Sequence, residues 1–328
     1  MNSTKVYIVL IYCSIWMLWA IAMTHFDNWH LFEDNGFMSI TMLFGSFVAG
    51  ATSEGGGAVA FPVMTLLFKI APPIARDFSL MIQSVGMTAA TLAILLSRTP
   101  IVRSAVVFSG LGGAFGMIVG LEFIAPLIIG AYAKVLFTSL WLSFALALFW
   151  INRDHKRPVL KQIQGYSPLT AVLLFGIGLV GGIISSVLGS GLDIITFAVL
   201  VLGFRICEAV ATPTSVILMA SNAVVGMLWK GVIGEGLIPQ AWDYWWVCVP
   251  IVIIGAPLGA WFIRRISRKN IAMFLIASIV VQYVVALLII QQTPMLLAFN
   301  AAVLMIGVAC FAMINHVGKT WHRELLKK

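Results

Sequence analysis

The chain has 328 residues, 61% of them hydrophobic and 10% charged, with a formal net charge of +8 and a mean hydropathy of +1.04. Apolar runs at that density exclude a soluble globular domain and make the bilayer the solvent. The basic residues lie in short loops between apolar runs, as membrane orientation demands, which argues against nucleic acid as a partner.

In chain order, apolar runs fall at about 6–24, 37–53, 58–70, 78–96, 104–130, 131–151, 169–188, 192–202, 209–229, 245–263, 271–290 and 295–314. The first follows a single Lys5 and leads into His25-Phe-Asp-Asn-Trp with no small-residue cleavage site, so it reads as a retained helix. A full span needs about 20 residues. The runs at 58–70 and 192–202 are too short for that, and each directly follows a glycine cluster. Each therefore pairs with its predecessor as a glycine-broken helical hairpin, which membrane interiors tolerate only inside protein or along a polar cavity. Cys13, Cys207, Cys248 and Cys310 are scattered in or beside apolar runs and read as free thiols.

Lysine and arginine bias orients the runs. The loop from Asn152 to Pro158, the Arg264–Lys269 stretch, the Arg98 and Arg103 loop and the tail with Lys319, Arg323, Lys327 and Lys328 go inside. His25 to Gly36, with Asp27, Glu33 and Asp34, goes outside. The hairpin 37–70 then begins and ends outside, and the hairpin 169–202 begins and ends inside. The expected architecture is an all-α integral membrane protein of one transporter domain, 1–328. Repeat one covers about 37–151, a cytoplasmic loop 152–168 and repeat two about 169–290. The repeats have inverted topology, with flanking helices at 6–24 and 295–314 and both termini cytoplasmic.

A shift of 136 positions carries Gly45, Gly55, Phe61, Val63, Leu66, Phe68, Ile70, Ala75 and Ser79 onto identical residues, and Lys69 onto Arg205. With the shift moved to 139, Gly116, Gly120 and Phe123 land on Gly255, Gly259 and Phe262. Paired, glycine-interrupted apolar segments in two halves are the sequence mark of a secondary transporter's binding site.

At a broken tip the backbone exposes amide N–H groups, and the half-helix that follows adds its dipole, so an anion is held without a basic side chain. The candidate donors lie at Gly55, Gly56, Gly57 and Ala58 in the first copy, and at Gly189, Ser190 and Gly191 and on to Ile194 in the second. Glu54 and Asp193 sit in these tips, where a carboxylate either couples anion movement to protons, or pairs with a nearby Lys or Arg or caps a half-helix. Ser79 and Gln83 share one helical face, as do Ser215 and Asn222, with Thr214 adjacent; these complete an oxyanion shell or bond between helices. Lys69 and Arg205 either snorkel to an interface or draw anions into a vestibule. Trp242 to Trp246 reads as an interfacial belt. No HExxH motif, Ser/His pair or metal-spaced cluster points to an enzyme, and no cofactor is expected.

Gly50, Gly55-Gly56-Gly57 and Pro62 resemble the glycine-rich signature of the TauE/SafE sulfite exporter family, also called the toluene-sulfonate uptake permease family. The second copy, Gly189-Ser190-Gly191-Leu192-Asp193, departs from it, with Ala198 where the proline would stand. A later family stretch appears as Ala211-Thr-Pro-Thr214-Ser215, and in the first half only as Ala75-Arg-Asp-Phe-Ser79. The resemblance implies a multi-pass carrier of small anions such as sulfite or organosulfonates. Its expected partners are the substrate anion, the lipid bilayer of the plasma (bacterial inner) membrane and a coupling proton. A passive anion channel, a carboxylate carrier and a homodimer stay open.

Overall fold

A computed structural model describes residues 3–52, 60–128, 130–152, 160–263, 265–266 and 268–325. Among these, the helices are α1 Ser3–His25, α2 Leu31–Ala51, α3 at 60–67, α4 Pro72–Leu96, α5 Arg103–Val119, α6 Gly130–Asn152, α7 Pro168–Leu188, α8 Leu192–Ala198, α9 Glu208–Leu228, α10 Pro239–Ile263, α11 Arg268–Ile289 and α12 Pro294–Leu325. Eight helices among the described residues are long and apolar enough to cross a membrane, or nine if the pair α1 and α2, bent by 105°, counts as one. Exposed Leu288, Met295 and Val232 present the apolar outer surface that lipid requires. The chain is a multi-pass membrane protein.

Local sequence explains the breaks. Pro72 and Pro73 open α4, where the missing N–H groups cost nothing. Ser167 and Thr170 form a capping box at the start of α7, with Pro168 in its first turn. Gly189, at φ 78, ends α7 in the left-handed conformation that glycine adopts without strain. After Gly191 the chain folds back, so a Cβ on Gly181 would lie 2.7 Å from the Cα of Leu192.

The short helices α3 and α8 end alike. Each runs into a wide π turn, Val63–Leu67 and Val199–Gly203. A basic residue with positive φ follows each, Lys69 and Arg205, both at φ 56. The amides of Phe68 and Ile70 bond back to Val63 and Met64, as those of Phe204 and Ile206 do to Val199 and Leu200. The two cations then part company. Lys69 is exposed, whereas Arg205 is buried and donates to the carbonyl and side-chain oxygens of Asn315 on α12, each at 3.0 Å.

Two helix crossings dominate the packing, α2 with α10 and α5 with α7. Both bring backbone against backbone. A Cβ on Gly50 would stand 1.9 Å from the Ala256 carbonyl oxygen, and one on Gly116 would stand 2.1 Å from that of Leu179. Small residues are what permit such approach where lipid gives no hydrophobic drive between helices. At the flank, Ser139 on α6 donates to Asn300 on α12 at 2.7 Å, and Asn300 donates to the Tyr283 hydroxyl on α11 at 3.1 Å.

Candidate functional site

The tip between α7 and α8 is the best-defined polar feature at depth. Asp193, in the first turn of α8, is buried. Its carboxylate accepts from the Ser190 hydroxyl at 2.9 and 3.1 Å and from the Gly191 N–H at 2.8 Å. The Leu192 N–H goes to the Ser185 hydroxyl at 2.9 Å. The donors of the broken tip are therefore engaged, and the anion that holds them is the chain's own carboxylate.

This tip rests on α4. The Gln83 side-chain amide donates to the Gly189 carbonyl at 2.9 Å and to the Ser79 carbonyl at 3.0 Å. A Cβ on Gly189 would lie 2.6 Å from the Ser79 Cβ and 3.1 Å from the Arg76 carbonyl oxygen. A Cβ on Gly113 of α5 would meet both Leu192 at 2.5 Å and the Asn222 side-chain oxygen at 3.3 Å. Gly189, Ser190, Gly191, Asp193, Ser79, Gln83 and Asn222 thus surround one region. Ser79 Oγ, Gln83 Oε1 and Asn222 Oδ1 are buried there with no hydrogen-bond partner among the described residues. Buried polar atoms are almost always paired, so these three are open to a partner from outside the described residues; one is a hydroxyl and two are acceptor oxygens.

The hydroxyls of Thr214 and Ser215 are engaged elsewhere. The Thr214 hydroxyl donates to the Val210 carbonyl at 2.7 Å and accepts from the Val102 N–H at 3.0 Å, which ties α9 to the start of α5. Ser215 donates to the Thr212 carbonyl at 2.8 Å. The first tip, with Glu54, Gly55, Gly56, Gly57 and Ala58, lies outside the described residues.

Two adjoining cavities open at the far end of α4. The larger, about 930 Å³, includes Arg98, Arg103, Lys161 and Tyr166 in its lining. The smaller, about 390 Å³, shares Arg98 and Lys161 and reaches inward to Gly50, Thr212 and Pro213. Among the described residues, no carboxylate lines either one. Leu160, bridged to Ile206, holds the segment carrying Lys161 beside the turn after α8.

The opposite end of α4 carries a cluster that sequence reading missed. Asp77 is fully buried. Arg76 donates to its Oδ1 through Nε at 3.1 Å and Nη2 at 3.0 Å; Lys230 Nζ and the Ile238 N–H, at 3.2 Å, bond its Oδ2. In sequence, Arg76-Asp77 stands directly before the apolar run at 78–96. The signal available was that Ala75-Arg-Asp-Phe-Ser79 aligns with Ala211-Thr-Pro-Thr214-Ser215 and puts charges where the second copy has none.

No curated protein and no solved structure matches the chain. The family model described as Sulfite exporter TauE/SafE matches residues 38–287, which takes in both crossings, the α7–α8 tip and the Asp77 cluster. On that match the chain belongs to the TauE/SafE sulfite exporter family.

Proposed function

We propose that the chain is a secondary carrier of small anions, sulfite or an organosulfonate, working by alternating access around two glycine-broken hairpins that form inverted repeats. The observation that carries this reading is the α7–α8 tip. Its donors stabilise a buried negative charge, and the Ser79 hydroxyl, without a partner among the described residues, adjoins them. An oxyanion finds the Ser79 hydroxyl there, together with the donors now held by Asp193; the Gln83 and Asn222 oxygens are acceptors and face a donor instead, such as a protonated oxyanion or water.

Two carboxylate-sized charges do not share one set of donors. Protonation of Asp193 releases Ser190 and Gly191 to the substrate, and deprotonation reclaims them. That exchange couples one proton to one anion. Glu54 is the corresponding candidate in the first tip. The same site serves import and export, and the gradient sets the direction.

The repeat reading draws support from the swapped crossings, α2 on α10 and α5 on α7, and from the matching ends of α3 and α8. A carrier is favoured over a passive channel because one end of α4 opens to cavities while the other is closed by Asp77.

Uptake of radiolabelled sulfite into proteoliposomes, with and without an imposed pH gradient, tests the reading. Saturable flux that follows the gradient and competes with methanesulfonate is the expected result. No flux of any sulfur anion, in folded protein, would move the substrate to another class, with carboxylates the first to screen.

A further inference from the structure

The Asp77 cluster is arranged as an anion site that is already filled. Two cations and a backbone N–H converge on the two oxygens of one carboxylate. We propose that Arg76, Lys230 and the Ile238 N–H form a second site for the transported oxyanion, closed by Asp77 as an internal anion that the passing substrate displaces. This deepens the carrier reading above and rests on it.

The donor chemistry is not particular to a carboxylate. A guanidinium edge and an ammonium bind sulfite or sulfonate oxygens as readily. One carboxylate touches the two cations directly, and the second negative charge near them is more distant. Glu235, exposed on the turn beyond, is also within electrostatic reach of Lys230.

Position supports the same conclusion. The carbonyl of Arg76 already borders Gly189, and Ser79 follows three residues on, so the cluster adjoins the α7–α8 tip. At about 1.5 Å per residue, Asp77 and Arg98 stand roughly 30 Å apart along and just beyond α4. The shift of 136 carries Arg76 onto Thr212 and Asp77 onto Pro213. Both of those residues line the open cavity at the far end. The positions that seal one end in the first half face open space at the other end in the second.

Lys230 lies in the π turn Trp229–Ile233, and Ile238 immediately precedes α10. Wide turns of this kind recur at functional sites because they absorb a change of register. A purely structural ion pair would use the same residues but would not compete with added anion.

The test is titration of the purified full-length protein in detergent with sodium sulfite, then sodium methanesulfonate, with sodium acetate as the carboxylate probe. Asp77→Asn removes the competitor and is expected to tighten sulfite binding at least tenfold. Lys230→Gln is expected to weaken it at least tenfold, and the double variant to lose the gain of Asp77→Asn. Equal affinity in Asp77→Asn and the parent overturns the proposal. If Asp77→Asn does not fold, Lys230→Gln decides in the same way, since unchanged sulfite affinity also overturns it. Lys230→Arg keeps the charge and exchanges a point donor for a fork, so it should alter the ratio of sulfite to methanesulfonate affinity; an unaltered ratio counts against the site. Sulfite flux in the parent with unaltered binding in every variant removes the second site and leaves the carrier. Absent flux with the expected binding shifts would instead remove the transported substrate and leave the site.

Discussion

Gly189→Ala tests the tip most directly, because its cost is read from two separate strains. At φ 78 an L-residue adopts the left-handed conformation at a cost of about 1–2 kcal/mol. The new methyl would then lie 2.6 Å from the Ser79 Cβ and 3.1 Å from the Arg76 carbonyl oxygen. Neither is the end of a flexible side chain. Both positions are fixed by α4, so α4 and the tip must part. Overpacking of that kind costs about 1–3 kcal/mol. The sum, about 2–5 kcal/mol, comes with a lengthened bond from Gln83 to the Gly189 carbonyl, now 2.9 Å. Gly176→Ala is the control on α7 itself. Nothing lies within 4 Å of its added Cβ, and alanine stabilises a helix interior by about 0.5–1 kcal/mol. Purified protein in detergent should melt roughly 5–10 °C lower for Gly189→Ala and no lower for Gly176→Ala. Sulfite flux should fall in the first variant only. Equal melting shifts in the two variants, or a Gly189→Ala protein that melts within a degree of the parent, would refute the reasoning.

Three further outcomes follow from the same geometry. Asp193→Asn keeps a cap acceptor for Gly191, so it should cost only about 1 kcal/mol while abolishing the response of sulfite uptake to a pH gradient, measured in proteoliposomes. Ser79→Ala breaks no hydrogen bond among the described residues, where its hydroxyl has no partner; melting should stay within about 0.5 kcal/mol of the parent while KM for sulfite rises several-fold. Gly116→Ala sets a methyl 2.1 Å from the Leu179 backbone oxygen at the α5–α7 crossing, and should cost about 3 kcal/mol, read as a melting shift close to that of Gly189→Ala.

The elements that sequence placed best are those with glycine or proline at both ends. The run at 169–188 is α7, Pro168–Leu188, and 192–202 matches α8 with its π turn to Gly203. Boundaries set by distant partners were less legible. The run at 78–96 belongs to a helix that starts at Pro72, because Arg76 and Asp77 are drawn inside by Lys230 and Ile238, more than 150 positions away. The bend between α1 and α2 turns on Asp27 at φ 53, which hydropathy does not register. Ser79, Gln83 and Asn222 were visible as polar residues on apolar helix faces, and the structure gathers them at one tip. Thr214 looked equivalent, but the Val102 N–H from another helix claims its hydroxyl. Composition cannot reveal which of two similar hydroxyls is already spoken for.

Asp193 and Asp77 each occupy donors that would otherwise suit a substrate anion, and this bears on how a carrier of anions releases its cargo. Two cations and an N–H in a low dielectric, left without a counter-ion, would hold an oxyanion strongly, and strong binding stalls transport at the next step. A tethered carboxylate lowers the effective affinity by competition. It also spares the protein the cost of an uncompensated buried charge between turnovers. On this reading the carboxylates that seem at odds with an anion path are what permit exchange along it. Asp193 yields to a proton at the α7–α8 tip, and Asp77 yields to the arriving anion at the closed end. The two would then differ in a measurable way: Asp193→Asn should flatten the pH dependence of flux at every sulfite concentration, whereas Asp77→Asn should retain the pH dependence and slow release, so that flux saturates at lower sulfite and at a lower maximum.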